Sequence, residues 1–398
     1  MDSAEREGLR PKGNVPNLRF KEFQGEWISK TIGDIAPLQR GFDLPTRQIC
    51  NGKIPVVYSN GIMNHHSSYK CVAPGLVTGR SGTIGKFTYI EDGYYWPHNT
   101  SLWVTDFHDN NPKFIYYLYQ TIHIEQYSTG SGVPTLNRNN VHRHKTFIPK
   151  LKEQNKIAAF LSLLDERIST QSKIIEDLKK LKSAIIEKVF CSPNKKNPMC
   201  RIEGFEQALY TYKMSDFSSR IATKNKDSKC SLVLTIAAQY GLVNQESFFN
   251  KSVASENLTG YYLLHKGEFA YNRSYSAGYD WGTVKRLDNY DQGVLSTLYI
   301  CFKINETIVD SDYLAYYFES TKWHRGLSDI AGEGARNHGL LNVSITDYFN
   351  TKHRFPVIEE QKAIAKMLNT ITEKERKATL LGECYQKQKQ YLLRQMFI

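Results

Sequence analysis

Two short turns hold the residues best suited to meet a ligand. Gly79-Arg80-Ser81-Gly82-Thr83 and Asn272-Arg273-Ser274-Tyr275 each place an arginine among small or polar residues after a strand-like run. An arginine so placed reaches a base edge or a phosphate, and glycine lets the backbone come close to the ligand. Lys86 closes the first segment. Thr135, Asn137 and Arg138, followed by Asn139 and His142, form a second polar, basic run, and Arg336, Asn337 and His338 answer it late in the chain. A solvated arginine in an ordinary turn explains either loop alone. Occurrence in both halves favours a binding role.

None of the residue patterns that common catalytic sites need is complete in this sequence. GRSGTIGK (79–86) has the outline of a phosphate loop, but Arg80 stands where its first glycine belongs and Phe87 where the Mg²⁺-binding Ser or Thr belongs. Asn197-Pro198-Met199-Cys200 lacks the second proline and the aromatic of an amino-methyltransferase motif, and no G-x-G-x-x-G follows a strand. His65-His66 and His142-Arg143-His144 have no Cys or carboxylate neighbours at ligand spacing. The chain is expected to catalyse nothing, and no catalytic residue, metal ligand or cofactor is assigned to it.

Lys and Arg number 52 against 40 Asp and Glu, a formal charge of +12 that favours a polyanionic partner. No apolar run approaches the roughly 20 residues of a membrane span, and the charged start MDSAEREGLRPKGN, without an apolar stretch, is not expected to act as a secretory signal. Seven scattered cysteines without a C-x-x-C pair read as reduced thiols of a cytoplasmic protein.

The elements that must position the turns are two long helices and two globules. Between Pro149 and Phe190, apolar residues recur in steps of four and three: Ile157, Leu161, Leu164, Ile168, Ile175, Leu178, Ile185 and Val189, with Gln171 and Lys182 as polar breaks. This heptad stripe predicts one helix of about 40 residues, roughly 60 Å long, burying a narrow face against a partner. The partner is the C-terminus. Pro149 matches Pro356, Glu153-Gln154 matches Glu360-Gln361, Leu161 matches Leu368 and Phe190 matches Phe397, all at an offset of 207. The second copy has a poorer seam, with Glu375, Gly382 and Lys389 at apolar positions. Antiparallel pairing sets Leu161, Leu164, Ile168 and Ile175 against the second helix around Leu368, Ile371 and Leu392.

The globules repeat as well. Asp34 matches Asp216 at offset 182, Arg80 matches Arg273 at 193, and Tyr117 matches Tyr316 at 199, so the offsets grow in one direction. The expected organisation is a disordered 1–16, an α+β domain 17–148, a helix 149–190, a linker 191–200, a second α+β domain 201–354 and a helix 355–398. It imitates a homodimer within one chain.

These features resemble the specificity subunit of a type I restriction–modification system. The resemblance rests on the two Pro-x-x-x-Glu-Gln helix openings at Pro149 and Pro356, on Arg-Ser-Gly-Thr-Ile-Gly at 80–85, and on VPNLRFKEFQGEWISKTIGDIA at 15–36. It covers nearly the whole chain in the family's domain order. It implies an α+β fold of two pseudo-symmetric target-recognition domains, separated by two long helices packed as an antiparallel coiled coil. Each domain reads half of a split target in double-stranded DNA. Two modification subunits dock on the helices, with Glu153, Gln154, Glu360 and Gln361 as partner-binding residues, and restriction subunits complete the complex. S-adenosylmethionine, ATP and Mg²⁺ belong to those partners. A stand-alone bipartite DNA-binding regulator is the alternative, and an enzyme fused to a coiled coil is disfavoured by the missing motifs.

Overall fold

The computed structural model describes residues 13–130, 132–226, 229–250, 257–274, 278–330, 341 and 343–398. The chain divides into two units, Met1–Ser172 with Leu380–Ile398, and Lys173–Thr379. Both long helices form, Leu151–Val189 and Ile358–Met396, and the division falls inside each of them.

In the first unit, strands Leu38–Arg40, Ser101–Val104, Gly75–Gly79 and Phe87–Ile90 lie in that order in one antiparallel sheet. A second sheet runs Gly61–His66, Ile54–Tyr58, Tyr94–Pro97, Cys71–Val72 and contains a parallel pair. Strand Ile28–Thr31 pairs with Lys145–Ile148, which feeds the first long helix. The second unit repeats the plan. Ser218–Arg220, Ile300–Ile304, Phe269–Asn272 and Thr283–Arg286 form the matching sheet, and Tyr210–Lys213 pairs with Lys352–Phe355.

The repeat extends to single hydrogen bonds. Helix Pro112–Thr121 starts where Asn111 accepts from the Phe114 N–H at 2.9 Å, and Asp310 caps Ser311–Tyr317 by accepting from Tyr313 at 2.9 Å. Asp34 and Asp216 each accept from the backbone N–H three residues earlier, at Thr31 and Lys213. Tyr117 Oη bonds Ser162 and Asp165 (3.3 and 2.8 Å) on the first long helix, while Tyr316 Oη bonds Asn369 and Thr372 (2.8 and 2.9 Å) on the second. Such side-chain pairs are set by the fold, so their recurrence at the sequence offsets makes the two units copies of one plan.

The heptad stripe is the buried one. Positions 157, 161, 164, 168, 171, 175, 178, 182, 185 and 189 are all buried or half-buried, and so are 364, 368, 371, 375, 378, 382, 385, 389, 392 and 396. Within the first unit, Leu161, Leu164 and Ile168 share a core with Leu392, Met396 and Phe397. Within the second, Ile185, Ile186 and Phe190 share one with Ile364, Ala365 and Leu368. In each unit the start of one helix therefore lies by the end of the other, as antiparallel packing requires. Leu392 falls in the first unit's core with Leu161 and Leu164, and Leu368 falls in the second unit's core with Ile186. The polar seam residues are paired: Lys389 sits 2.7 Å from Asp165, and Lys182 3.6 Å from Glu375. Aromatics close both ends, Phe114 against Phe397 at 5.3 Å and Tyr313 against Phe190 at 5.0 Å.

Two stretches depart from expectation. Residues 1–12 lie outside the described residues, but 13–16 are packed: the Trp27 N–H donates to the Asn14 carbonyl at 2.8 Å, and Pro16 is buried. The 191–200 stretch folds back on the helix it follows, its Cys200 N–H donating to the Lys188 carbonyl at 3.0 Å and Cys191 buried. All seven cysteines are free thiols. Among the described residues, no helix is long and apolar enough to cross a membrane.

Candidate nucleic-acid interface

Arg80 follows strand Gly75–Gly79 in a turn that the glycines make possible. A Cβ on Gly79 would collide with the Thr83 carbonyl, and Gly82 has φ +79°, the left-handed region that favours glycine. The turn is pinned from two sides. The Arg80 N–H donates to the Thr100 carbonyl at 2.9 Å, and the Arg80 carbonyl accepts from Leu136 at 2.7 Å. Gly82 donates to the Pro134 carbonyl at 3.2 Å, and Ser81 pairs with Thr135.

This pinning draws the two basic runs together. Arg80, Thr135, Asn137 and Arg138 line one cleft of about 770 Å³, whose other wall is Gln39 to Asp43. Asn137 caps the short helix Arg138–His142 by accepting from the Asn139 N–H at 3.0 Å, which sets Arg138 at the helix start and in solvent. The Arg80 and Arg138 side chains have no hydrogen bond or ion pair among the described residues, so their donors are free for an anion or a base edge. Lys86 is not in this cleft: its ammonium donates to the Asn60 carbonyl at 2.8 Å. Thr83 is exposed, and its carbonyl packs on Gly79. His142 is a structural group. Its Nε2 accepts from the Leu38 N–H at 2.8 Å, and burial, with Arg138 nearby, lowers its pKa.

The second unit keeps the backbone frame and changes the use of the side chain. Leu341 donates to the Arg273 carbonyl at 3.0 Å as Leu136 does to that of Arg80, and Asn272 accepts from the Ser274 N–H at 3.0 Å. The Arg273 guanidinium, however, donates to the carbonyls of Leu298 (3.3 and 3.1 Å) and Val343 (3.2 Å). It ties two chain segments together, whereas the half-buried Arg80 on its cleft wall has no such side-chain partner among the described residues. Tyr275, Arg336 and Asn337 lie outside the described residues.

The helix-opening pairs correct an expectation. Glu153, Gln154, Glu360 and Gln361 are each no more than 3 % exposed, so they offer no surface to a partner. The Glu153 carboxylate accepts from Arg19 Nε and Nη2, both at 2.8 Å, and from the Trp27 indole. Glu360 is held the same way by Arg201. In each pair the bidentate hydrogen bond raises the arginine pKa. Gln154 accepts from the Asn111 N–H at 2.9 Å and donates to the Pro149 carbonyl at 2.9 Å, and Gln361 does likewise with Asp310 and Pro356. All four bolt a helix root to its globule. Carboxylate and amide can be buried at a helix start because every donor and acceptor there is matched.

Sequence reading missed Arg19 and Arg201, although the offset of 182 that links Asp34 to Asp216 links them too. It also missed Arg40 and Asp43. Their signal was a polar strand end, Gln39-Arg40, running into Gly41. Among the described residues, no group of His, Cys, Asp or Glu could hold a metal ion.

Residues 24–180 match the family model of the type I restriction modification DNA specificity domain. Over 172 residues the chain is 24% identical to the type I restriction enzyme EcoprrI specificity subunit of Escherichia coli, a match spanning 42% of this chain and 42% of that protein's length. The S subunit of a type I restriction–modification system from M. genitalium has a similar fold, with TM-score 0.60 and 15% identity over 96% of this chain and 99% of that one. A chain from a structure described as the basis of complex assembly and conformational transition of the type I R-M system gives TM-score 0.50 and 14% identity, covering 92% and 96%. Residues 24–180 therefore match the type I restriction modification DNA specificity domain, and the chain is similar in fold to the S subunit of a type I restriction–modification system.

Proposed function

We propose that this chain is the DNA-reading, non-catalytic subunit of a type I restriction–modification complex in the cytoplasm. Each unit takes one half of a split target in double-stranded DNA. The observation that carries the reading is the repeated arginine turn: both units place Arg80 or Arg273 after the same strand of the same sheet, clasped by the same backbone bond from Leu136 or Leu341. In the first unit that turn opens on a cleft with two uncommitted guanidiniums. A positively lined cleft of this kind suits phosphates and guanine edges. Methyl transfer and cleavage belong to partner subunits, two modification subunits carrying S-adenosylmethionine and restriction subunits using ATP and Mg²⁺. Since Glu153, Gln154, Glu360 and Gln361 are buried, any docking on the helices uses their outward faces.

The paired helices give this reading a geometric test. Inserting one heptad after Ser172 and one after Thr379, where the two units divide, adds about 10 Å to the pair. The unread spacer is expected to lengthen by about three base pairs at 3.4 Å each. Methylation mapping of host DNA, with the partner subunits present, checks it. A methylating complex with an unchanged spacer would contradict the role given to the helices.

A further inference from the structure

We propose that Asp43 is a specificity-determining residue, whose carboxylate accepts a hydrogen bond from the exocyclic amino group of a cytosine or adenine in the half-site taken by the first unit. This rests on the DNA-reading role proposed above and adds the base chemistry to it.

Among the described residues, the first-unit cleft carries three guanidiniums, those of Arg40, Arg80 and Arg138, and a single carboxylate, that of Asp43. A cleft that only gripped phosphates would gain nothing from a carboxylate, which repels them. The carboxylate is held in place. Its Oδ1 accepts from Arg40 Nη2 at 3.0 Å and from the Asn99 amide, while Oδ2 has no hydrogen bond among the described residues. The Asp43 side chain is 68% exposed, so the free oxygen is open to an incoming group.

An ionised carboxylate only accepts hydrogen bonds. In the major groove, cytosine offers the N4 amino donor and adenine the N6 amino donor, while guanine and thymine offer acceptors alone. Asp43 thus favours the first pair and opposes the second, so the repulsion discriminates as well as the attraction. Arg80, a donor-only group on the same cleft, has the opposite preference. An oriented acceptor beside a free donor is the arrangement needed to read base edges, and Arg40 and Asn99 act as positioning residues for the acceptor.

The test uses the full chain with its partner subunits and duplexes in which each base pair of the first-unit half-site is varied in turn. For Asp43→Asn and Asp43→Ala, discrimination at one base pair is expected to fall roughly ten-fold, with the other half-site unaffected. If either variant binds every duplex tighter by one common factor, the carboxylate acts only as a charge and the proposal is overturned. Unchanged binding overturns it equally. A wild-type complex with no sequence preference would overturn the proposed function itself, an outcome distinct from both.

Discussion

Replacing Glu153 by alanine is expected to destabilise the first unit by about 3–5 kcal/mol, the range for removing one partner of a buried ion pair. Three donors lose their acceptor at once: Nε and Nη2 of Arg19, and the indole N–H of Trp27. The guanidinium is left in a site where its side chain is 13% exposed, too enclosed for water to replace the carboxylate fully. Glu360→Ala is expected to act the same way on the second unit through Arg201. Denaturant unfolding, with hydrogen exchange to assign the loss to one unit, measures both. A loss below about 1 kcal/mol would mean that these carboxylates are surface groups after all.

Arg80→Ala is expected to cost about 1–3 kcal/mol at one base pair of one half-site, equivalent to roughly 5- to 150-fold in discrimination. Its fold should be unharmed, because the Arg80 backbone holds the turn and the guanidinium has no partner to lose. Arg273→Ala should behave differently. That guanidinium joins Leu298 to Val343, so its removal loosens two segments and weakens the second half-site as a whole. Arg273→Lys should rescue poorly, since one ammonium cannot reproduce a fork that spans two carbonyls. Binding measured against duplexes altered in either half-site separates the cases. If Arg80→Ala weakens all sequences equally, Arg80 contacts phosphates and the base-edge assignment is wrong.

The contrast between these arginines marks where sequence reasoning stops. The heptad seam was legible because burial along a helix pair follows a period that the residues display directly. The duplication was legible because copied positions keep their spacing. The arginine turn was legible in the first unit, where Gly79 and Gly82 are required by close backbone approach and positive φ. What a side chain does after folding depends on groups distant in sequence. Glu153 and Gln154 read as a partner surface because the family resemblance puts docking subunits on the helices they open. Their burial follows from Arg19, 134 positions away, and Asn111, 43 away. Arg273 resembles Arg80 until Leu298 and Val343 are brought beside it. Asp43 carried no signal alone, for a single aspartate after a strand is ordinary until Arg40, Asn99 and Arg80 surround it.

Selection from a library of randomised duplexes by the purified complex tests the central claim most directly. The account predicts two short constrained blocks separated by an unconstrained spacer of fixed length, with Arg80→Ala relaxing one block only. One continuous block, a spacer of variable length, or no enrichment over random DNA would contradict it.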